Sequence, residues 1–171
     1  MVELLHPVAD EPAEVFDRAP GSIKVHELHP REVAIIRVEV PMADLPTTMG
    51  EAMCEVEAQM REAGVEVSGP PFARYLELAP DRIVAEIGFP VLRPAPHVGR
   101  IFPGQLPGGR VATILHVGPY DGLADTYDKL ERWLGEAGAT AAGPMWEVYW
   151  SDPAAEPDPS TWRTMIHVPL A

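Results

Sequence analysis

Cysteine, lysine and serine are all scarce in this chain of 171 residues. The single cysteine, Cys54, excludes an intramolecular disulfide and suits a reducing compartment. Four serines occur, and none sits in a Gly-x-Ser-x-Gly elbow, so the commonest hydrolase nucleophile leaves no signature. A glycine-rich phosphate loop is also missing, because Pro107-Gly108-Gly109-Arg110 leads into a strand pattern and not a helix. No apolar run approaches the ~20 residues that span a bilayer, and the first residues lack the basic segment of a secretory signal. A cytoplasmic protein with no membrane contact is expected. Basic residues are few as well: thirteen stand against 26 acids, for a net charge of −13, and only Lys24 and Lys129 are lysines. Such a surface repels polyanions at long range, so direct nucleic-acid binding is not expected. No motif calls for a cofactor.

What is present is apolar material and a repeat. The hydrophobic content of 46% suffices for one core. Residues 1–21 carry proline, alanine and acids without periodicity and read as a tail or loosely packed arm. A single domain is expected over 22–171, in two halves of about 23–90 and 101–170. In the first half, Glu32 to Val40 is rich in β-branched residues and reads as a strand. A helix follows from about Pro46 to Ala63, with Met49, Met53, Val56 and Met60 on one stripe and Gly64 as its stop. Gly69-Pro70 introduces a strand through Phe72, Tyr75 and Leu78, and a second strand runs from Arg82 to Phe89. The second half repeats this order: a strand from Arg110 to Val117, a helix from about Asp121 to Ala137, the stop Gly138, then Gly143-Pro144 and strands Met145 to Trp150 and Trp162 to Val168. Ala63-Gly64 and Ala137-Gly138 precede their Gly-Pro pairs by the same interval, and Tyr75 and Tyr149 follow at equal distances. The pattern predicts an α+β fold, a tandem β-α-β-β unit with antiparallel sheets, two helices and pseudo-twofold symmetry. The proline-bearing stretch Val91 to Gly109 reads as the joining segment.

Strand periodicity puts Glu147 and Tyr149 on one face and Trp146, Val148 and Trp150 on the other. The first-half counterparts of Glu147 and Tyr149 are Ala73 and Tyr75. Two tyrosines and one offset carboxylate would then share a groove. Burying that carboxylate is costly without a proton or a cationic ligand, and aromatic walls attract cations. The plainer alternative is a solvated sheet face. The Trp146/Trp150 face is expected to pack under the helices.

His116-Val117-Gly118-Pro119-Tyr120, followed by Leu123, Tyr127, Leu130 and Trp133, resembles the signature of the GyrI-like effector-binding domain. Pro107 to Ala112 before it, Gly143-Pro144 with Glu147-Val148-Tyr149 and Asp152-Pro153 after it, and the closing Thr164, His167, Val168, Pro169 and Leu170 fit the same pattern. Such domains form the ligand-binding part of multidrug-responsive regulators of the MerR and AraC families, and also occur alone in bacteria. The resemblance implies a pocket with a carboxylate at its floor, a role that falls on Glu147. Tyr149, Tyr75 and Ala73 would line it, and the ligand would be a lipophilic, aromatic, often cationic small molecule. Some standalone members are hydrolases that open strained cyclopropane rings, which would make Glu147 the general base and Tyr149 or Tyr75 the polarising donor. A third reading, which the net charge permits although no segment marks an interface, is a protein-interaction role in which the acidic surface docks on a basic partner such as a topoisomerase. No helix-turn-helix pattern occurs within residues 1–21, so the chain is expected to act without binding a promoter itself.

Other constellations carry less. His26 and His29 lie three apart on a strand pattern, point to opposite faces and lack a third ligand, so no metal is expected. Cys54, beside Met53, reads as a small packing residue. His116 reads as structural, closing its strand before the Gly118-Pro119 turn.

Overall fold

The computed structural model describes residues 12–171. In chain order these form α1 (Pro12–Asp17), β1 (Ile23–Leu28), β2 (Arg31–Val40), α2 (Leu45–Glu62), β3 (Phe72–Leu78), β4 (Ile83–Pro90), β5 (Ile101–Leu106), β6 (Gly109–Val117), α3 (Leu123–Ala137), β7 (Trp146–Tyr149) and β8 (Arg163–Pro169). The fold is α+β. Its eight strands make one sheet in the order β1-β6-β8-β7-β3-β4-β2-β5, and every neighbouring pair is antiparallel. Exchanging β1, β6, β8 and β7 with β5, β2, β4 and β3 leaves this order unchanged when read from the other end. The centre of the sheet is therefore the β3–β7 pair, where the two halves meet.

Local signals in the two halves act alike. Pro41 and Pro119, both extended, open 3₁₀ turns at Met42–Asp44 and Tyr120–Gly122 that lead into α2 and α3. Both helices end on a glycine with positive φ, 65° at Gly64 and 62° at Gly138, a conformation glycine adopts without a Cβ clash. The same two reverse bonds close each end: Gly64 N–H to Arg61 O at 3.2 Å with Val65 N–H to Met60 O at 2.9 Å, and Gly138 N–H to Gly135 O at 3.3 Å with Ala139 N–H to Leu134 O at 3.0 Å.

Both helices cover one face of the sheet. Ala52, Val56 and Met60 of α2 cluster with Ala34, Ile36, Ile83, Ala85 and Ile87, and Leu130 of α3 clusters with Ala112, Ile114, Ile166 and Val168. Each fully buried side chain of this size contributes about 1.5–3 kcal/mol. The opposite face is filled by Val33, Ile35, Phe72, Val111, Leu115, Trp146, Val148 and Met165, with Val15 of α1 among them.

Four expectations need correction. Trp146 and Trp150 belong to the core, but on the face away from α2 and α3. The joining segment contains β5, an edge strand paired with β2. Its Pro103 is tolerated because an edge strand has one side without ladder bonds. Residues 12–21 are not a loose arm throughout: Val15 is buried, and buried Arg18 donates to Thr113 Oγ1 at 2.7 Å and to Thr113 O at 2.6 Å. The rest of that expectation, residues 1–11, lies outside the described residues. Cys54 is exposed; the stripe runs through Ala52, Met53, Val56 and Met60 and turns position 54 outward. Among the described residues, no helix is long and apolar enough to cross a membrane.

Candidate functional site

At the sheet centre, Ala73 of β3 lies directly opposite Glu147 of β7, and Ile166 of β8 flanks Glu147 on its other side. Strand alternation points all three toward the helices. Glu147 is only 4% exposed and stands between a methyl group and a branched aliphatic chain. Such a carboxylate needs donors, and tyrosines supply them.

Tyr149, two residues along the same strand, donates to Glu147 Oε2 at 2.7 Å. Tyr75 of β3 reaches the same oxygen at 3.3 Å and lies 3.3 Å from the Tyr149 hydroxyl. Tyr127 comes down from α3 and donates to Oε1 at 2.5 Å. The fourth tyrosine, Tyr120, sets its ring nearly perpendicular to Tyr149 at 6.1 Å between centroids, and packs on Trp162 at 5.0 Å. Of the four tyrosines of the chain, three bond this one carboxylate and the fourth packs on one of those three. Met49 and Met53 of α2 and the ring of Tyr75 pack against the large core cluster to which Tyr149 also belongs.

Burial, followed by the Glu147 charge, pushes the hydroxyl pKa of Tyr75, Tyr127 and Tyr149 well above the ordinary tyrosine value. All three therefore stay protonated, and act as donors, throughout the neutral range. Tyr120 is also shifted up, by burial first and then by the Glu147 and Asp152 charges. Among the described residues Glu147 has these hydroxyl partners and no ion pair. Three of the roughly four acceptor positions of a carboxylate are thereby used.

Sequence reasoning had singled out Glu147, Tyr149, Tyr75 and Ala73, and the structure places them together at the centre of the sheet. It missed Tyr127, Tyr120 and Trp162. Tyr127 shares the helical stripe of Leu123, Leu130 and Leu134 and passes for core; its hydroxyl, which needs a partner once buried, was the available signal. His116 ties the end of β6 to the start of α3, through Thr126 Oγ1 at 2.8 Å and Pro119 O at 2.9 Å. His26 lies 3.2 Å from Thr113 Oγ1, and no group of three or more His, Cys, Asp or Glu suited to a metal occurs among the described residues. A separate cavity of about 280 Å³, lined by Gly21, His116, Pro119, Asp125 and Lys129, opens beside α3 and contains none of the Glu147 cluster.

Comparison with known proteins adds the following. A family model described as GyrI-like small molecule binding domain matches residues 21–171. No curated protein matches the chain. Among solved structures, the EcmrR C-terminal domain aligns at 22% identity with a TM-score of 0.74, covering 88% of this chain and 97% of that one. In a DNA complex of EcmrR the values are 21% and 0.77, over 87% of this chain, which spans only 57% of the EcmrR chain there. A hydrolase from Listeria innocua aligns at 12% identity and 0.60, over 91% of this chain and 95% of that one. SAV2435 bound to tetraphenylphosphonium aligns at 10% and 0.57, over 88% and 94%. At these identities the likeness carries the fold.

Proposed function

The chain belongs to the GyrI-like small molecule binding domain family, and from that premise we propose that its ligand is a lipophilic aromatic cation held over Glu147. One observation carries this reading: a buried carboxylate that among the described residues has no ion-pair partner, and on which three tyrosine hydroxyls converge. The hydroxyls satisfy most of its acceptor positions but leave its negative charge uncompensated. A cation compensates that charge, and the aromatic rings add about 0.5–2 kcal/mol each when desolvated. SAV2435, of similar fold, is bound to the cation tetraphenylphosphonium, which makes that compound a suitable probe. The chain's part in the cell would be sensing or sequestration of such molecules.

The test is a pair of ions equal in shape and opposite in charge, tetraphenylphosphonium and tetraphenylborate, titrated by tryptophan fluorescence. The cation is expected to bind and the anion not. Glu147→Gln, which keeps the shape and removes the charge, should weaken cation binding by about 10- to 100-fold. Equal binding of the two ions, or a preference that survives in Glu147→Gln, removes Glu147 from the function.

A second reading has one observation in its favour, the similar fold of a hydrolase. There Glu147 would activate a water at its remaining acceptor position, and Tyr149 or Tyr75 would give a proton to the leaving atom. The upward shift of those hydroxyls makes them poorer acids and weighs against it. For a binder, Tyr75→Phe and Tyr149→Phe should leave affinity within about 1 kcal/mol. Turnover of a strained electrophile that falls roughly 10²-fold in one of these variants would decide for the hydrolase.

A further inference from the structure

From Glu147 a run of aromatic rings leads through Tyr149 to Tyr120 and Trp162. Tyr149 is buried, Tyr120 is 37% exposed and meets it edge-on, and half-buried Trp162 packs on Tyr120. The indole N–H of Trp162 is occupied by Glu156 O at 2.8 Å, so the ring faces are what this side chain offers a ligand. The connection between β7 and β8 is organised by Asp152. Its main-chain oxygen accepts from Ala155 at 3.0 Å and Glu156 at 2.8 Å, and its Oδ1 accepts from Ala154 N–H at 2.9 Å. Asp152 is exposed, and among the described residues its other carboxylate oxygen has no hydrogen-bond partner. The Glu156 carbonyl that takes the Trp162 indole N–H belongs to this same turn, which ties Asp152 to the aromatic corner, and after burial the Glu147 and Asp152 charges both push the Tyr120 hydroxyl pKa up.

We propose that the site has an outer half, formed by Tyr120, Trp162 and Asp152, which takes the second positive charge of an elongated aromatic dication whose first charge lies at Glu147. This rests on the reading that Glu147 receives a cation. The aromatic body of such a ligand lies along Tyr149, Tyr120 and Trp162, and its outer charge sits within the field of Asp152 and over the Trp162 ring. A monocation of the same length fills the inner half and leaves the outer carboxylate hydrated. The ligand class is thereby narrowed from aromatic cations in general to rod-shaped ones charged at both ends.

The probes are 1,5-bis(4-amidinophenoxy)pentane and the analogue in which one amidine is replaced by a carboxamide, titrated by calorimetry at low salt. The wild type should bind the dication about tenfold more tightly than the monocation, beyond the factor of about two expected for a symmetric ligand, and the margin should shrink as salt rises. Asp152→Asn keeps the Oδ1 acceptor for Ala154 and removes the charge. It should reduce the margin to about the statistical factor by weakening the dication far more than the monocation. Glu57→Gln, on the exposed side of α2, removes one charge elsewhere and should leave the margin intact. Three results overturn the outer half: no dication preference in the wild type, a preference that Asp152→Asn leaves unchanged, or an equal loss in Asp152→Asn and Glu57→Gln. The first of these, with monocation binding still lost in Glu147→Gln, sinks the outer half alone. Monocation binding indifferent to Glu147→Gln sinks the underlying reading and the outer half with it.

Discussion

The two halves run the same elements in the same order, yet only one carries a carboxylate at the centre of the sheet. Where the second half has Glu147, the first has Ala73, directly across the central strand pair. The 3₁₀ turn before α3 begins with Tyr120, which packs on two aromatic rings; the turn before α2 begins with Met42, which is 65% exposed. β8 is preceded by Trp162, whereas β4 is preceded by Arg82, which pairs with Glu39 at 3.2 Å and Glu77 at 3.0 Å. The tyrosines at 75 and 149 are the shared part, and they converge on the one carboxylate. The scaffold can be symmetric because backbone bonds and apolar packing tolerate repetition. The charge cannot be, since like charges directly opposite each other on adjacent strands are destabilising.

The sharpest way to break this comparison is to make the charge symmetric. Ala73 is fully buried, so Ala73→Glu brings a second carboxylate beside the first without a donor set of its own. A loss of about 3 kcal/mol or more in urea unfolding at neutral pH is expected, from desolvation and like-charge repulsion together. In a Glu147→Gln background the repulsive part disappears and the loss should be smaller. A stable Ala73→Glu protein would show that the centre of the sheet tolerates charge from either half, and the asymmetry would lose its physical basis.

A smaller effect tests whether the hydroxyls of both halves serve the same carboxylate. Tyr75, Tyr127 and Tyr149 have pKa values raised by burial and by Glu147. The unfolded chain releases these protons near pH 10 while the folded one keeps them. Stability is therefore whole below about pH 10 and falls as the pH rises past it, by up to about 1.4 kcal/mol per hydroxyl at pH 11. Urea midpoints at pH 8, 10 and 11 should fall less in Tyr127→Phe and in Tyr75→Phe, by similar amounts although the residues come from different halves. A slope that flattens in one variant and not in the other would mean that only one of the two bonds stabilises the folded state.

Much of this architecture could be read from the chain because its signals are local. The Gly-Pro pairs, the Ala-Gly stops and the β-branched runs mark turns, helix ends and strands within a few residues of their cause. β5 escaped because Pro103 and its neighbouring prolines suggest a connector, and only the edge position of the strand makes proline acceptable there. The Trp146 face was assigned to the wrong layer because alternation tells which residues share a face and not which face the helices cover. At the site, Glu147, Tyr149 and Tyr75 were legible from strand spacing and the repeat. Tyr127 was not, because a tyrosine on an apolar stripe differs from core only in where its hydroxyl ends, and that depends on how α3 docks on β7.

The smallest effect concerns the rim. If the ligand leans on the second half, Tyr120→Met gives that corner the residue its counterpart has, and removes one ring from the stack without touching the Glu147 hydroxyl donors. Tetraphenylphosphonium binding should weaken by about 1 kcal/mol, roughly fivefold, the worth of one partly exposed aromatic contact to a cation. The converse, Met42→Tyr, adds a ring where Met42 is mostly exposed and where Arg82, ahead of β4, stands in place of the indole ahead of β8. The new ring would lack a stacking partner, and affinity should stay within about 0.5 kcal/mol of the wild type. Both variants should keep the wild-type urea midpoint, so the readout is binding alone. Equal losses in the two, or a gain from Met42→Tyr that matches the loss from Tyr120→Met, would show the ligand lying across the central strand pair and touching both rims, and the aromatic corner would then be no more than one of two interchangeable walls.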